Sequence, residues 1–357
     1  MTYRVVQWST GNVGRHAIAG IDARPDLELA GVFVSNPAKA GRDAGELAGL
    51  GRHLGVEATT DADALIAGKP DCVVYTAMAD DRLMEAIGDL TRLLENGIDV
   101  VASGPVFLQY PYGVIPDSML APLTEAAERG QASLWINGID PGWANDWMAL
   151  TLTGISERID EVRCLEILDY STYDNPTVLF DIMGFGRPVD DDLPMLLQPG
   201  VLSFAWGSVV RQLAAGLDVE LDAVEESWTR LPAPEDFDIP SGSIGKGTAA
   251  ALRFEVRGIR NGRAVCVLEH ITRLRPDLGP DWPQPTGQGG YRVVVTGEPT
   301  YVLDMTMMAS DGDHNTAGLK ATAMRLVNAV PAVVEAAPGL LTSLDLPLIT
   351  GRGLVRP

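Results

Sequence analysis

The residues with the clearest chemical potential stand at the start of the chain. Tyr3-Arg-Val-Val-Gln-Trp-Ser9-Thr10-Gly11-Asn12-Val13-Gly14 runs from an apolar strand into a Gly-x-x-Gly turn and then into a helix bearing Ala and Ile up to Ile21. Such a turn suits the pyrophosphate of a dinucleotide: Gly11 lets the backbone approach it, Gly14 lets helix and strand pack closely, and the first helical turn offers N–H donors to an anion. Ser9, Thr10, Gly11, Asn12, Val13 and Gly14 are the expected contacts, although Ser9 stands where the G-x-G-x-x-G fingerprint has its first glycine. A tight strand-to-helix turn without a ligand is the competing reading. His16, one turn into the helix, reads as a packed or solvated side chain.

An NAD-preferring site places an acid on the ribose hydroxyls about 20 residues further on. Here the second strand ends Val34-Ser35-Asn36, followed by Lys39 and Arg42, with no acid among them. Ser35, Asn36, Lys39 and Arg42 suit a 2′-phosphate, so NADP(H) is the expected cofactor and NAD(H) the alternative; a solvated basic loop would read the same way. Ligands of open parallel sheets bind beyond the carboxyl ends of the strands, which brings Thr76-Ala77 and Ser103-Gly104-Pro105 to the nicotinamide end. The turn Asn137–Trp143 closes this half, and its Asp140 either points toward a site or caps the next helix. Gly242-Ser-Ile-Gly245-Lys246-Gly247-Thr248 only imitates a phosphate loop, because Walker A needs four residues between its glycines and Ser/Thr directly after Lys.

The elements that must position these residues follow from periodicity. Short apolar runs at Tyr3–Trp8, Leu29–Val34, Cys72–Thr76, Val100–Ala102 and Ser133–Ile136 alternate with helical patterns, as in a parallel sheet with crossover helices. One helix is expected from Asp80–Asp81 to Gly97 and another from Ser118, as N-cap, to Gly130. After Asn137–Trp143 strand patterns dominate: Val162–Leu168, Ala250–Val256, Val265–Leu274, Arg292–Val295 and Tyr301–Met308, with Asn261–Gly262 marking a hairpin turn. Val201–Gly216 reads as a helix, Leu231–Gly247 and Pro276–Gly290 as long loops, and Thr316–Ala329 as a helix whose sequel returns to the first domain. The expected fold is α/β: a Rossmann-type doubly wound domain over 1–145, an α+β domain on a mainly antiparallel sheet over 146–315, and a C-terminal helix and tail over 316–357.

Composition narrows the partners. A net charge of -21 and a pI near 4.5 disfavour nucleic acid and anionic lipid, leaving a small-molecule substrate as the expected partner. Cys72, Cys164 and Cys266 are far apart in apolar runs, so neither a disulfide framework nor a zinc site is expected. With no run near the ~18 apolar residues of a membrane span, the expectation is a cytoplasmic protein without a metal.

Together with Asn36-Pro37-Ala38-Lys39-Ala40-Gly41, Gly138-Ile139-Asp140-Pro141-Gly142, Asn328-Ala329-Val330-Pro331 and Ala337-Pro338-Gly339-Leu340-Leu341, the opening motif gives the whole chain a family likeness. It resembles the NAD(P)H-dependent amine dehydrogenases and 2,4-diaminopentanoate dehydrogenases, whose N-terminal half is similar to dihydrodipicolinate reductase. The resemblance implies a homodimer that passes a hydride from reduced nicotinamide to a ketone-derived iminium, or oxidises an amine in reverse. Amine-forming members carry a glutamate between the fifth strand and a Tyr-Pro pair, whereas Ser103-Gly-Pro-Val-Phe-Leu-Gln109-Tyr110-Pro111 holds no acid here. Asp140, Tyr173 and His314 are the candidate replacements; a helix cap, a loop aromatic and a hydrogen-bonded loop residue are their structural alternatives. Reduction of C=N or C=O without an ammonia site, and a cofactor-binding sensor without catalysis, are the competing functions.

Overall fold

Strand β1, Tyr3–Trp8, is apolar on both faces because it lies inside a seven-stranded sheet. In this computed structural model, which describes residues 2–79, 82–190 and 192–355, two compact units are formed, one by 1–139 with 319–357 and one by 140–318. The first unit adds β2 (Leu27–Phe33), β3 (Ala58–Thr59), β4 (Cys72–Tyr75), β5 (Asp99–Ala102) and β6 (Ser133–Ile136) to β1. A late strand, Gly339–Leu341, completes the order 339–341, β6, β5, β4, β1, β2, β3, all parallel. From β1 the chain winds outward through β2 and β3 and then crosses to β4, so the order reverses between β1 and β4. Crevices at such a reversal are where doubly wound sheets bind their ligands.

Helices cover both faces. Leu90, Leu93, Leu94 and Leu123 pack on Val73, Tyr75, Val100 and Ile136, while Ala17, Ile21, Leu326 and Val330 pack against Val5, Val74, Val101 and Trp135. Each buried Val, Leu or Ile among them contributes about 1.5–3 kcal/mol by leaving water. The expected Asp80–Gly97 helix is observed as Leu83–Glu95 with Gly97 at positive φ beyond it; Asp80 and Asp81 lie outside the described residues. The helix expected from Ser118 starts at Asp117, so Ser118 is not its cap; Pro116, whose fixed φ suits a helix entry, precedes it.

The second unit contains β7 (Arg158–Asp169), β8 (Ala223–Pro232), β9 (Phe237–Ile239), β10 (Gly242–Ile244), β11 (Ala249–Arg260), β12 (Arg263–Arg273), β13 (Gly289–Glu298) and β14 (Tyr301–Thr306). Six of these form one sheet in the order β14, β13, β7, β12, β11, β8, antiparallel except for the parallel pair β7 and β12. Asn261 and Gly262 both take positive φ, as the two-residue turn between β11 and β12 requires. Three expectations change. Val201–Gly216 is two helices, Val201–Ala205 and Gly207–Gly216, meeting at Trp206. Leu231–Gly247 holds the end of β8 and the β9–β10 hairpin rather than one long loop. The last helix extends to His314–Val334 and runs through Pro331. Among the described residues no helix is long and apolar enough to cross a membrane.

Candidate functional site

At the carboxyl end of β1, Ser9 takes φ of 79°, the left-handed conformation that the glycine of the dinucleotide fingerprint would adopt without strain. Buried Gln7 holds this turn: its Nε2 donates to the Ser9 carbonyl at 2.8 Å and to Thr76 Oγ1 at 2.7 Å, tying the end of β1 to the end of β4. A Cβ on Gly14 would lie 2.2 Å from the Ser9 carbonyl oxygen and 2.9 Å from Thr76 Oγ1, so only glycine lets the helix start this close to the strand. The helix Asn12–Asp22 begins after Gly11 with no side-chain cap, which suits its first turn to an anion. These features fit a dinucleotide pyrophosphate. Ser9→Gly is expected to relieve ~1–2 kcal/mol of left-handed strain against ~0.4–1 kcal/mol of added chain freedom, so thermal unfolding should show a small gain in stability.

The candidate ribose residues separate in space. Lys39 folds back over the turn, its Nζ donating to Thr10 Oγ1 at 3.1 Å. Asn36 caps the short turn Pro37–Lys39 through its side-chain oxygen, Ser35 is exposed, and Arg42 is engaged by Glu46 at 2.8 Å. Lys39 is therefore the cation brought to the glycine turn. Thr76 is buried, Ala77 and Ser103 are half-buried, and Gly104 and Pro105 are buried beyond β5, followed by the short helical turn Val106–Gln109.

The second unit supplies the ionisable groups. Strand register sets Tyr291 opposite Glu166, Glu166 beside His270, and His270 opposite Phe254, so four side chains from four adjacent strands form one row on one sheet face. His270 Nε2 meets Asp140 Oδ1 at 3.0 Å, and its Nδ1 lies 3.4 Å from Glu166 Oε1. Tyr170 donates its hydroxyl to Glu166 at 3.1 Å, and Tyr291 does so as well. Phe254 stacks on the imidazole at 4.6 Å, and Trp206, at the junction of its two helices, stands edge-on to both rings with Nε1 pointing to Asp140.

This network is buried, which decides its charges. Burial and the nearby Asp140 carboxylate raise the Glu166 carboxyl to about 7, against the pull of His270. Burial opposes protonation of His270, but Asp140 and Glu166 outweigh it and raise its pKa. Asp140 and Glu166 thus favour the charged form of the imidazole between them, and the Glu166 carboxyl exchanges its proton near neutrality. Asp140, Glu166 and His270 offer ligand atoms within 4.8 Å of one another, a spacing that would also hold a cation.

Of the three candidates from sequence, Asp140 enters the network and caps no helix, the next helix being capped by Asp146. Tyr173 stacks on Tyr170 at 4.7 Å and so borders it. His314 is elsewhere, with Nε2 on the Asp169 carbonyl at 2.7 Å. Glu166, His270, Tyr170, Tyr291 and Trp206 were not singled out by sequence. The signal for two of them was present: Glu166 alternates with Val162, Cys164 and Leu168 on one strand face, and His270 with Cys266 and Leu268 on another, apolar positions where unpaired charge is costly.

Residues 143–353 match the 2,4-diaminopentanoate dehydrogenase C-terminal domain, and residues 5–83 match the N-terminus of dihydrodipicolinate reductase. The chain is 45% identical to an amine dehydrogenase of Streptomyces virginiae over 348 residues, 96% of each chain. It is 24% identical to a 2,4-diaminopentanoate dehydrogenase of Acetoanaerobium sticklandii over 298 residues, covering 81% of this chain and 79% of the relative. The solved amine dehydrogenase of Mycobacterium smegmatis shares the fold, with a TM-score of 0.79 over 99% of this chain and 98% of its own at 21% identity.

Proposed function

The chain belongs to the family of 2,4-diaminopentanoate and amine dehydrogenases, and from that premise we propose that it oxidises a small, largely apolar amine with a nicotinamide cofactor, reversibly. The bound nicotinamide supplies the hydride acceptor. The protein's own task is to handle the nitrogen's proton: a protonated amine, losing the C–H electron pair as hydride, becomes an iminium and releases one proton, and water then converts the iminium to carbonyl and ammonium. We assign the proton acceptor to Glu166. The observation that carries this is the setting of its buried carboxyl, held by Tyr170 at 3.1 Å and 3.4 Å from His270 Nδ1; burial there raises its pKa, which suits a proton acceptor near neutral pH. His270 and Asp140 balance the charge as that proton arrives, and Tyr170 and Tyr291 hold the carboxylate in place. Trp206 and Tyr173, both half-buried, provide aromatic surface for an alkyl or aryl group.

In this reading Glu166 performs the work for which the Ser103–Pro111 segment has no acid. In the reductive direction, cofactor oxidation by a ketone should require ammonium. Equal rates with and without ammonium would instead identify a ketone reductase.

The reading includes a preference for NADP(H), with Lys39 on the 2′-phosphate. A charge-assisted hydrogen bond contributes ~1.5–3 kcal/mol, so Lys39→Ala should weaken NADPH binding roughly ten- to hundredfold and leave NADH binding nearly unchanged. Titration of both cofactors against both proteins checks this; equal losses for NADH and NADPH would remove Lys39 from the 2′-phosphate.

A further inference from the structure

The Asp140 carboxylate is engaged on one side only. Its Oδ1 meets both neighbours, His270 Nε2 at 3.0 Å and Trp206 Nε1 at 3.4 Å, while Oδ2 receives no donor among the described residues. The side chain is 3% exposed, yet Oδ2 is not among the sealed atoms that lack a partner, so solvent still reaches it. A largely buried carboxylate oxygen without a donor is costly and gains from one.

A second acceptor stands at the right distance. Asp140 and Glu166 bring an oxygen each within 4.8 Å of one another. Two carboxylate oxygens that accept from one tetrahedral ammonium nitrogen, each at about 2.8 Å, stand roughly 4.6 Å apart. Tyr170 and Tyr291 hold Glu166 without filling it, since an ionised carboxylate has room for about four donors. His270 turns Nε2 to Asp140 and Nδ1 to Glu166, so neither ring nitrogen faces away from the carboxylates to bind a metal ion. An ammonium group needs only the oxygens.

Given an amine substrate, as proposed above, we infer that its nitrogen enters as an ammonium group bridging the Asp140 and Glu166 carboxylates, with one N–H to each. Glu166 then takes its proton across a hydrogen bond already made, and Asp140, through the oxygen that His270 and Trp206 leave free, keeps the nitrogen in place as the proton departs. The requirement is two N–H groups on a cationic nitrogen. Primary and secondary amines meet it, and tertiary and quaternary ones do not.

Calorimetric titration reads this separately from hydride transfer. The full-length protein, with and without NADPH, which cannot take a hydride, is titrated with propylamine, trimethylpropylammonium and 1-propanol, and with Zn²⁺ as the rival cation. Propylamine should bind saturably in the presence or absence of Zn²⁺. Trimethylpropylammonium keeps the charge without an N–H, and 1-propanol keeps the chain without the charge. Either one loses two charge-assisted hydrogen bonds and should bind at least about a hundredfold more weakly than propylamine. Asp140→Asn, which preserves the shape, should weaken propylamine about tenfold or more through one such bond, and the KM for the amine should rise by the same factor. No saturable binding of propylamine, trimethylpropylammonium or 1-propanol binding as tightly as propylamine, an affinity unaffected by Asp140→Asn, or exclusion of propylamine by Zn²⁺ would each overturn the assignment. The comparison of propylamine with trimethylpropylammonium needs no variant, so it stands even if Asp140→Asn does not fold. Propylamine bound with the expected preference but not oxidised would support this site and count against the reaction; amine oxidation without that preference would remove the site and leave the reaction.

Discussion

Glu166→Gln is expected to lower the rate of amine oxidation by ~10²–10⁴, the usual contribution of a positioned general base. Gln keeps the size and much of the hydrogen bonding to Tyr170 and Tyr291 but cannot accept the proton. Cofactor binding, proposed for residues of the other unit, should not change. The pH profile separates this from a structural effect. With its carboxyl raised to about 7, the unmodified protein should lose activity as pH falls through that value, and Glu166→Gln should lack that limb. The stability linkage has a definite sign as well. A carboxyl whose pKa is higher in the folded state than in the unfolded state favours the fold only while protonated, so its contribution is complete below the ordinary carboxyl range and is lost as pH rises through about 7. Above neutrality Glu166→Gln should therefore unfold at no lower temperature than the unmodified protein. An unchanged rate, or a profile that retains the limb, would remove Glu166 from the reaction.

Gly14→Ala is expected to abolish cofactor binding at concentrations that saturate the unmodified protein. The added methyl would stand 2.2 Å from the Ser9 carbonyl oxygen and 2.9 Å from Thr76 Oγ1. Backbone cannot yield as a flexible side chain would, so the helix must move away from the turn. Overpacking of this kind costs ~1–3 kcal/mol of stability, which leaves a folded protein whose first helical turn no longer faces the pyrophosphate. Titration with NADPH, alongside a thermal melt, checks both parts; binding equal to that of the unmodified protein would place the pyrophosphate elsewhere.

These two sites differed in how far the sequence disclosed them. The turn Ser9–Gly14 is local: strand, glycine spacing and helix are consecutive, so periodicity and one motif were enough to place it. Ser9 departs from the fingerprint, and its positive φ explains how the turn keeps its shape without the glycine. Asp140 was also visible, through the Gly-x-x-Pro-Gly turn around it. Glu166 and His270 were not, because each lies inside a run that reads simply as strand, and their meaning comes from the register of β7 against β12. That pairing joins distant parts of the chain in parallel, a direction that sequence periodicity does not encode. Trp206 was hidden by the reading of one continuous helix, whereas its place at a break turns its ring toward His270 and Phe254. Among the basic residues after β2, only the fold reveals that Glu46 engages Arg42 while Lys39 reaches Thr10.

The most direct test is to incubate the protein with NADP⁺, or NAD⁺, and a panel of small apolar amines, measuring reduced cofactor and ammonia together. The expected result is amine-dependent formation of both in equal amounts. Tight cofactor binding with neither product, from any amine and either cofactor, would contradict the assignment and leave a dinucleotide-binding protein without this chemistry.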